Sequence, residues 1–240
     1  MLVSRYAGAT CALQVGALWA LGAATAGTAV ALGHPALAWC GLVPLGLGLF
    51  VLSFYRDPER QGPADPAAWV SPADGVVTDI ATVDEPHFIK GKALRVGIFL
   101  SPLNVHVNRS PAAAVVEAVV PRPGLCLPAT GPACIDQNES TLLGLRTDAG
   151  LRIGVRQVTG ALARTIVCAA TPGQRLARGE RYGMIKLGSR TELLVPAEAG
   201  FTPAVALGQV VRGGETVIGL APAQAPAVGG GAGDDQGRAG

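Results

Sequence analysis

The sequence predicts a mainly β domain carried behind two N-terminal membrane helices. Three observations lead there. No Asp, Glu, Lys or Arg occurs from Cys11 to Tyr55. From Trp69 onward, short runs rich in Val, Ile and Leu alternate with Gly and Pro, the texture of strands separated by turns. In the C-terminal third, Gly173-Gln-Arg-Leu-Ala-Arg-Gly-Glu180 is echoed by Gly208-Gln-Val-Val-Arg-Gly-Gly-Glu215.

The charge-free stretch comes first. A spanning helix needs about 20 apolar residues, and this run holds enough for two, broken at Gly33-His34-Pro35. We read Cys11 to Leu32 as one span and Ala36 to Phe54 as the other, so that residues 1–56 form a membrane anchor. Arg5 precedes the pair and Arg56 and Arg60 follow it, which puts both ends on the cytoplasmic side of the cell membrane and His34 at the outer tip. Abundant Gly and Ala permit close helix contact. A signal peptide fits less well, because a second apolar run follows directly. A buried core hairpin fits less well, because the run is so long without charge. Phe54-Tyr55-Arg56 reads as an interfacial anchor, and Asp57-Pro58-Glu59-Arg60 as an extended exit from the bilayer.

The strands follow, within a domain spanning 57–220. Gly75 to Ile80, Ala93 to Leu100, Ala114 to Val120, Leu151 to Val158 and Thr191 to Val195 are the clearest. Period-two alternation is plain where Leu151, Ile153 and Val155 face Arg152, Gly154 and Arg156. A short helix is expected around Gly160 to Arg164. The Gly-Gln repeat resembles the turns of lipoyl-like, barrel-sandwich modules, in which Gly supplies positive φ. A carrier module would need a modifiable Lys in a Met-Lys hairpin tip, and Lys90, Lys92 and Lys186 do not match. The fold class expected is therefore a barrel-sandwich, β-rich domain behind a helical hairpin. Residues 221–240, rich in Ala, Pro and Gly, are expected to be a disordered tail.

Composition narrows the function. Mean hydropathy is +0.38 with only 15% charged residues, which agrees with a membrane protein. A net charge of +2 and 5% aromatic residues supply neither a phosphate-tracking stripe nor a base-stacking surface, so no nucleic-acid partner is expected. The five cysteines are scattered, without Cys-x-x-Cys, which argues against a zinc site or disulfide framework and suits a reducing compartment; Cys126 and Cys134 could pair in principle, but buried free thiols are the favoured reading. No metal is expected.

Three segments hold residues fit for nucleophilic chemistry. Asp74 stands in Ser71-Pro-Ala-Asp-Gly75, His106 in Ser101-Pro-Leu-Asn-Val-His-Val-Asn-Arg109, and Ser189 after Gly188 in Gly183-Met-Ile-Lys-Leu-Gly-Ser-Arg190. Each alone has a bland reading: Asp74 as a turn carboxylate, His106 as a structural strand histidine, Ser189 as part of a turn. Brought together, they supply a nucleophile, a base and an orienting acid. Spacing alone does not decide whether they meet.

These segments, with Arg56-Asp-Pro-Glu-Arg60 before them, Asn138-Glu139 between them and Gly208 to Glu215 after them, resemble in content and order the short form of the phosphatidylserine decarboxylase family. The resemblance runs from Phe54 to about Leu220. It implies that His106, oriented by Asp74, activates Ser189 to attack the Gly188 carbonyl. The chain then parts into residues 1–188 and 189–240, and Ser189 becomes an N-terminal pyruvoyl group. That cofactor would form a Schiff base with phosphatidylserine in the membrane, release CO2 and give phosphatidylethanolamine, with His106 the best proton donor. Arg109 and Arg190 are candidates to hold the substrate phosphate or carboxylate, each equally readable as a solvated strand arginine. Two departures stand out: Leu103 occupies the place of a second His in many longer members, and Asn104 that of a frequent acid in short ones. A homo-oligomer is compatible with the sequence. Two other classes stay open: a membrane-anchored barrel-sandwich adaptor without chemistry, and a tethered serine hydrolase using the same three residues in trans.

Overall fold

The computed structural model describes residues 3–128, 133–161, 165–186 and 189–221. The expected tail beyond Ala221 lies outside the described residues. So does Gly188, and so do residues 162–164 of the expected short helix; Gly160 and Ala161 are not helical.

The apolar run forms α1 (Gly8–Ala31), a 3-10 segment (Pro35–Gly41) and α2 (Leu42–Phe54). Residues 8–31 and 35–54 are each long and apolar enough to cross a membrane. The first begins three residues before the expected Cys11, and the second opens in the tighter 3-10 form after Pro35. Leu13, Leu21, Trp39 and Val43 are all exposed, which suits a hydrocarbon surrounding and would be costly in water. The two elements close on each other at Gly22 and Gly41: a Cβ on Gly22 would lie 2.7 Å from the Gly41 carbonyl oxygen.

Among the described residues thirteen strands follow: β1 (Ala68–Val70), β2 (Gly75–Glu85), β3 (Gly91–Leu100), β4 (Val107–Arg109), β5 (Ala114–Arg122), β6 (Ser140–Thr147), β7 (Arg152–Val158), β8 (Thr165–Cys168), β9 (Arg175–Leu176), β10 (Arg181–Lys186), β11 (Ser189–Pro196), β12 (Val210–Val211) and β13 (Val217–Leu220), with a short α3 (Ala133–Gln137) between β5 and β6. An eight-stranded antiparallel sheet of order β12-β2-β3-β11-β7-β6-β5-β9 curls into a half-barrel, flanked by β4-β10-β8 and the pair β1-β13. The mainly β class is as the sequence predicts. Its inner face carries the main core, with Val77, Ile98, Leu100, Leu145, Ile153, Val155 and Leu193 among its members. The alternation read in β7 holds in part: Ile153 and Val155 are buried and Arg152 is exposed, but Gly154, on the expected outer face, is buried as well.

The sheet is internally duplicated. Its order reads the same from either edge if β12, β2, β3 and β11 are matched with β9, β5, β6 and β7. The hydrogen bonds match as well. Gly208 N donates to Val77 O at 2.8 Å, as Gly173 N donates to Val116 O at 2.8 Å. Ser71 Oγ donates to Ala73 O at 2.7 Å, as Ser110 Oγ donates to Ala112 O at 2.7 Å. Bulges fall at Val77/Asp79 and at Val116/Ala118. Gly173 and Gly208 both take φ near +80°, +86° and +80° respectively, which is what the repeat needs of glycine. The Gly-Gln repeat seen in the sequence is thus half of a larger one, in which Ser71-Pro-Ala-Asp-Gly75 corresponds to Ser110-Pro-Ala-Ala-Ala114.

A second, smaller core joins the hairpin to the strands. Tyr6, Cys11, Val15, Phe54 and Tyr55 pack with Val105, Val107 and Met184. Its β side is β4 and β10, which flank His106.

Candidate active site

Asp74 and His106 sit in the turns that lead into β2 and β4, Ser189 opens β11, and backbone and side-chain hydrogen bonds tie these segments together. Arg109 N on β4 donates to Pro72 O, two residues before Asp74, at 2.9 Å. Ile185 N on β10 donates to His106 O at 3.2 Å. Side chains continue the join. Asn108 Nδ2 donates to Thr191 Oγ1 at 2.9 Å, and Gln157 Nε2 donates to Asn108 Oδ1 at 2.9 Å. Asn108, on β4, lies two residues after His106, and Thr191, on β11, lies two residues after Ser189. The polar chain from Gln157 through Asn108 to Thr191 is buried throughout and fixes β4 against β11.

His106 follows a tight turn. Asn104 Oδ1 accepts from Ser101 N at 2.8 Å and from Ser101 Oγ at 2.9 Å. Those bonds need a side-chain oxygen, which Asn supplies as well as an acid would, so the departure at Asn104 leaves the turn intact. The ring is fully buried beneath Phe54, with ring centroids 4.2 Å apart. Its Nδ1 lies 2.9 Å from the Asn104 carbonyl oxygen, which can only accept. In the neutral ring this puts the proton on Nδ1 and leaves Nε2 as the basic nitrogen. Burial pushes the pKa of His106 down to about 4; the Asn104 bond opposes that, Arg56 adds to it, and the Asp74 charge opposes it.

Asp74 therefore reaches His106 as a nearby charge, while its own oxygens are held elsewhere. Arg60 Nη1 donates to Oδ1 and Arg60 Nη2 to Oδ2, the latter at 2.8 Å. Gly213 N donates to Oδ1 at 2.8 Å. The partner of His106 Nδ1 is the Asn104 carbonyl, and Asp74, read from the sequence as the residue that orients the ring, acts on it as a nearby charge. Ser189 opens β11 opposite Leu100. Its side chain is fully buried, and Oγ has no hydrogen-bond partner among the described residues. A buried hydroxyl left unbonded is unusual and calls for an explanation.

The two candidate substrate arginines are engaged internally. Arg109 donates to Asp57 Oδ1 at 3.1 Å, to Pro58 O at 3.0 Å and to Gly179 O at 3.0 Å. Arg190 donates to Glu192 Oε1 at 2.7 Å, to Thr78 Oγ1 at 2.7 Å and to Asp79. Both are buried, at 4% and 3% exposure. Sequence reasoning missed three contributors to the corner: Phe54 as the cover on His106, Asn108 in the polar chain, and Arg60 on Asp74. Asn108 and Arg60 stood inside quoted motifs, but their partners are distant in sequence.

A family model described as phosphatidylserine decarboxylase matches residues 47–219. A phosphatidylserine decarboxylase proenzyme of Salinibacter ruber is 46% identical over 193 residues, covering 77% of this chain and 82% of its relative. Proenzymes of the same name from Symbiobacterium thermophilum and Carboxydothermus hydrogenoformans are 47% and 45% identical over 182 and 181 residues, covering 76% and 75% of this chain and 84% of each relative. On both the family match and these relatives, the chain belongs to the phosphatidylserine decarboxylase family.

Proposed function

We propose that this protein is a phosphatidylserine decarboxylase of the cytoplasmic membrane, matured by cleavage of its own Gly188–Ser189 bond. The observation that carries the reading is Ser189. Its Oγ is buried and unbonded among the described residues, at the head of a strand, in the same corner as a buried neutral histidine. An oxygen with no structural duty is what a group built from that serine requires, so the residues present fit a pyruvoyl group at position 189.

In maturation, His106 Nε2 takes the Ser189 proton and Oγ attacks the Gly188 carbonyl carbon, converting the peptide bond into an ester. Loss of the Ser189 α-proton expels the Gly188 carboxylate. Addition of water then releases ammonia and leaves the pyruvoyl terminus, on a chain of residues 189–240 held to residues 1–188. A base with a pKa of about 4 is weak for repeated turnover, yet it suffices for an event that happens once per chain.

The pyruvoyl group supplies a ketone that condenses with the substrate amine and withdraws electrons as CO2 leaves. The chain's own residues do the rest. His106 Nε2, neutral at rest, is the group that takes up a proton and delivers it to the substrate Cα. Phe54, the last residue of α2, covers His106 and places the reaction at the level where a phospholipid head group meets water. Asp74 opposes loss of the His106 proton through its charge. The half-buried Arg56 is the cation nearest the membrane exit on that side. For Arg109 or Arg190 to bind the substrate phosphate, each would have to leave a buried ion pair, so the reading gives them to the frame. Arg5, Arg56 and Arg60 at the base of the hairpin (1–56) support a catalytic domain (57–220) on the cytoplasmic side.

The test is turnover of phosphatidylserine in mixed micelles, followed as CO2 release. Wild type should release CO2, borohydride pretreatment should abolish it by reducing the ketone, and Ser189→Ala should be inert. Borohydride-insensitive ester hydrolysis would point to the hydrolase reading, and no turnover by folded protein to the adaptor.

A further inference from the structure

We propose that Arg60 is a positioning residue for Asp74, and that through it the segment leaving the membrane helices sets the charge that faces His106. The inference rests on the reading of Asp74 and His106 given above.

Arg60 makes the two-pronged contact for which a guanidinium is suited, one nitrogen on each carboxylate oxygen of Asp74. The same Nη1 donates to Gly213 O at 2.7 Å, and Gly213 N donates back to Asp74 Oδ1 at 2.8 Å. Arg60, Asp74 and Gly213 thus form a closed ring of hydrogen bonds. The side chains of Arg60 and Asp74 are only 6% and 11% exposed, so the pair is little screened.

The duplication in the sheet shows that the turn itself needs neither partner. In the matching copy, Ala113 stands where Asp74 does. The Ser-Pro-Ala turn, its Ser Oγ bond to the alanine carbonyl and the bulge after it are all kept. A carboxylate and a guanidinium that the fold omits in one copy serve something besides that turn. In this copy the carboxylate charge is felt by His106.

Arg60 also arrives on a stitched segment. Asp57, three residues earlier, is paired with Arg109 at 3.1 Å and with Arg181 at 2.8 Å, and Glu59 with Arg181 at 2.9 Å. This strap runs straight from Tyr55, at the end of α2. Seating of the hairpin and aim of the Asp74 carboxylate therefore pass through one short run of chain.

The experiment compares maturation of full-length wild type, Arg60→Lys, Arg60→Ala and Asp57→Asn, made in membranes and followed by appearance of the small fragment, with melting temperature measured on each. Lysine keeps the charge but cannot grip both oxygens and the Gly213 carbonyl in fixed geometry. We expect Arg60→Lys to melt near wild type yet mature roughly 100-fold more slowly, the scale of a 1 Å misplacement at a reacting centre. Arg60→Ala should be slower still and be partly restored by added guanidinium ion, whereas Asp57→Asn, which loosens the strap without touching Asp74, should lose melting temperature and slow maturation by less than Arg60→Lys does. The proposal is overturned if Arg60→Lys and Arg60→Ala mature at the wild-type rate. It is equally overturned if rate falls only in step with melting temperature across all three variants. Uncut wild type would overturn the reading of Ser189, and this proposal with it; cut wild type with unaffected Arg60 variants overturns this proposal alone.

Discussion

Acidification should weaken this fold through His106, by an amount the structure sets. The ring is fully buried against Phe54, and its pKa drops from 6.5 to about 4. At pH 7 both the folded and unfolded chains hold the ring neutral, so nothing is lost. Between pH 6.5 and about 4 the unfolded chain binds a proton that the folded one refuses. Stability therefore falls as pH is lowered through that window and levels off below it. The drop corresponds to about 3 kcal/mol, a large part of a domain's net stability. The assay is denaturant unfolding of Ser189→Ala, which stays one chain, in detergent between pH 4 and 7. Carboxylates titrate in the same range, so the informative quantity is the difference from Ser189→Ala/His106→Gln. That difference should change by about 3 kcal/mol between pH 7 and pH 4. A pH-independent difference would refute the buried neutral ring. The same ring makes a kinetic claim: maturation of wild type should be insensitive to pH from about 8 down to about 5, because the base is unprotonated throughout. A rate that falls off near pH 6.5 would mean that His106 is open to water.

Further outcomes follow from single contacts. Asn108→Leu leaves Thr191 and the Gln157 amide without their buried partner and should cost about 2 kcal/mol, read as a lower unfolding midpoint. Arg190→Gln strips Glu192 and Asp79 of a buried cation and should destabilise by about 3 kcal/mol without raising KM in whatever enzyme still folds. A normal melting temperature with a raised KM would instead make Arg190 a substrate ligand. Gly75→Ala should lower stability by about 2 kcal/mol or more, since φ is +152° there and a Cβ would sit 2.8 Å from the Phe99 carbonyl carbon and 2.9 Å from Ile98 Cγ2. Wild-type melting of that variant would mean that the turn after Asp74 relaxes freely.

Much of this architecture was legible before any coordinates. The charge-free run to Tyr55 announced the helices, because a bilayer tolerates few ionised groups and composition alone reports that. β7 showed its alternation because Arg152, Gly154 and Arg156 place no large apolar side chain between Leu151, Ile153 and Val155, although five of its seven positions are buried. β6 did not stand out, because seven of its eight positions are buried and a strand covered on both faces loses its period. The duplication was seen only in its Gly-Gln half. The other half differs where it matters most, Asp74-Gly75 against Ala113-Ala114, although Ser-Pro-Ala at both places carried the signal. The site residues could be named from their motifs, but not their partners. Arg109 with Asp57, Arg190 with Asp79 and Arg60 with Asp74 are pairs made by sheet register and by the strap, neither of which a local pattern encodes. The Asn104 carbonyl beside the His106 ring met the same limit, since it is a backbone atom.

The most direct measurement is the intact mass of purified wild type beside Ser189→Ala. The account predicts two wild-type chains, the smaller beginning at position 189 with a pyruvoyl in place of a serine terminus, and one uncut chain for the variant. A single full-length wild-type chain, folded and in membranes, would contradict it.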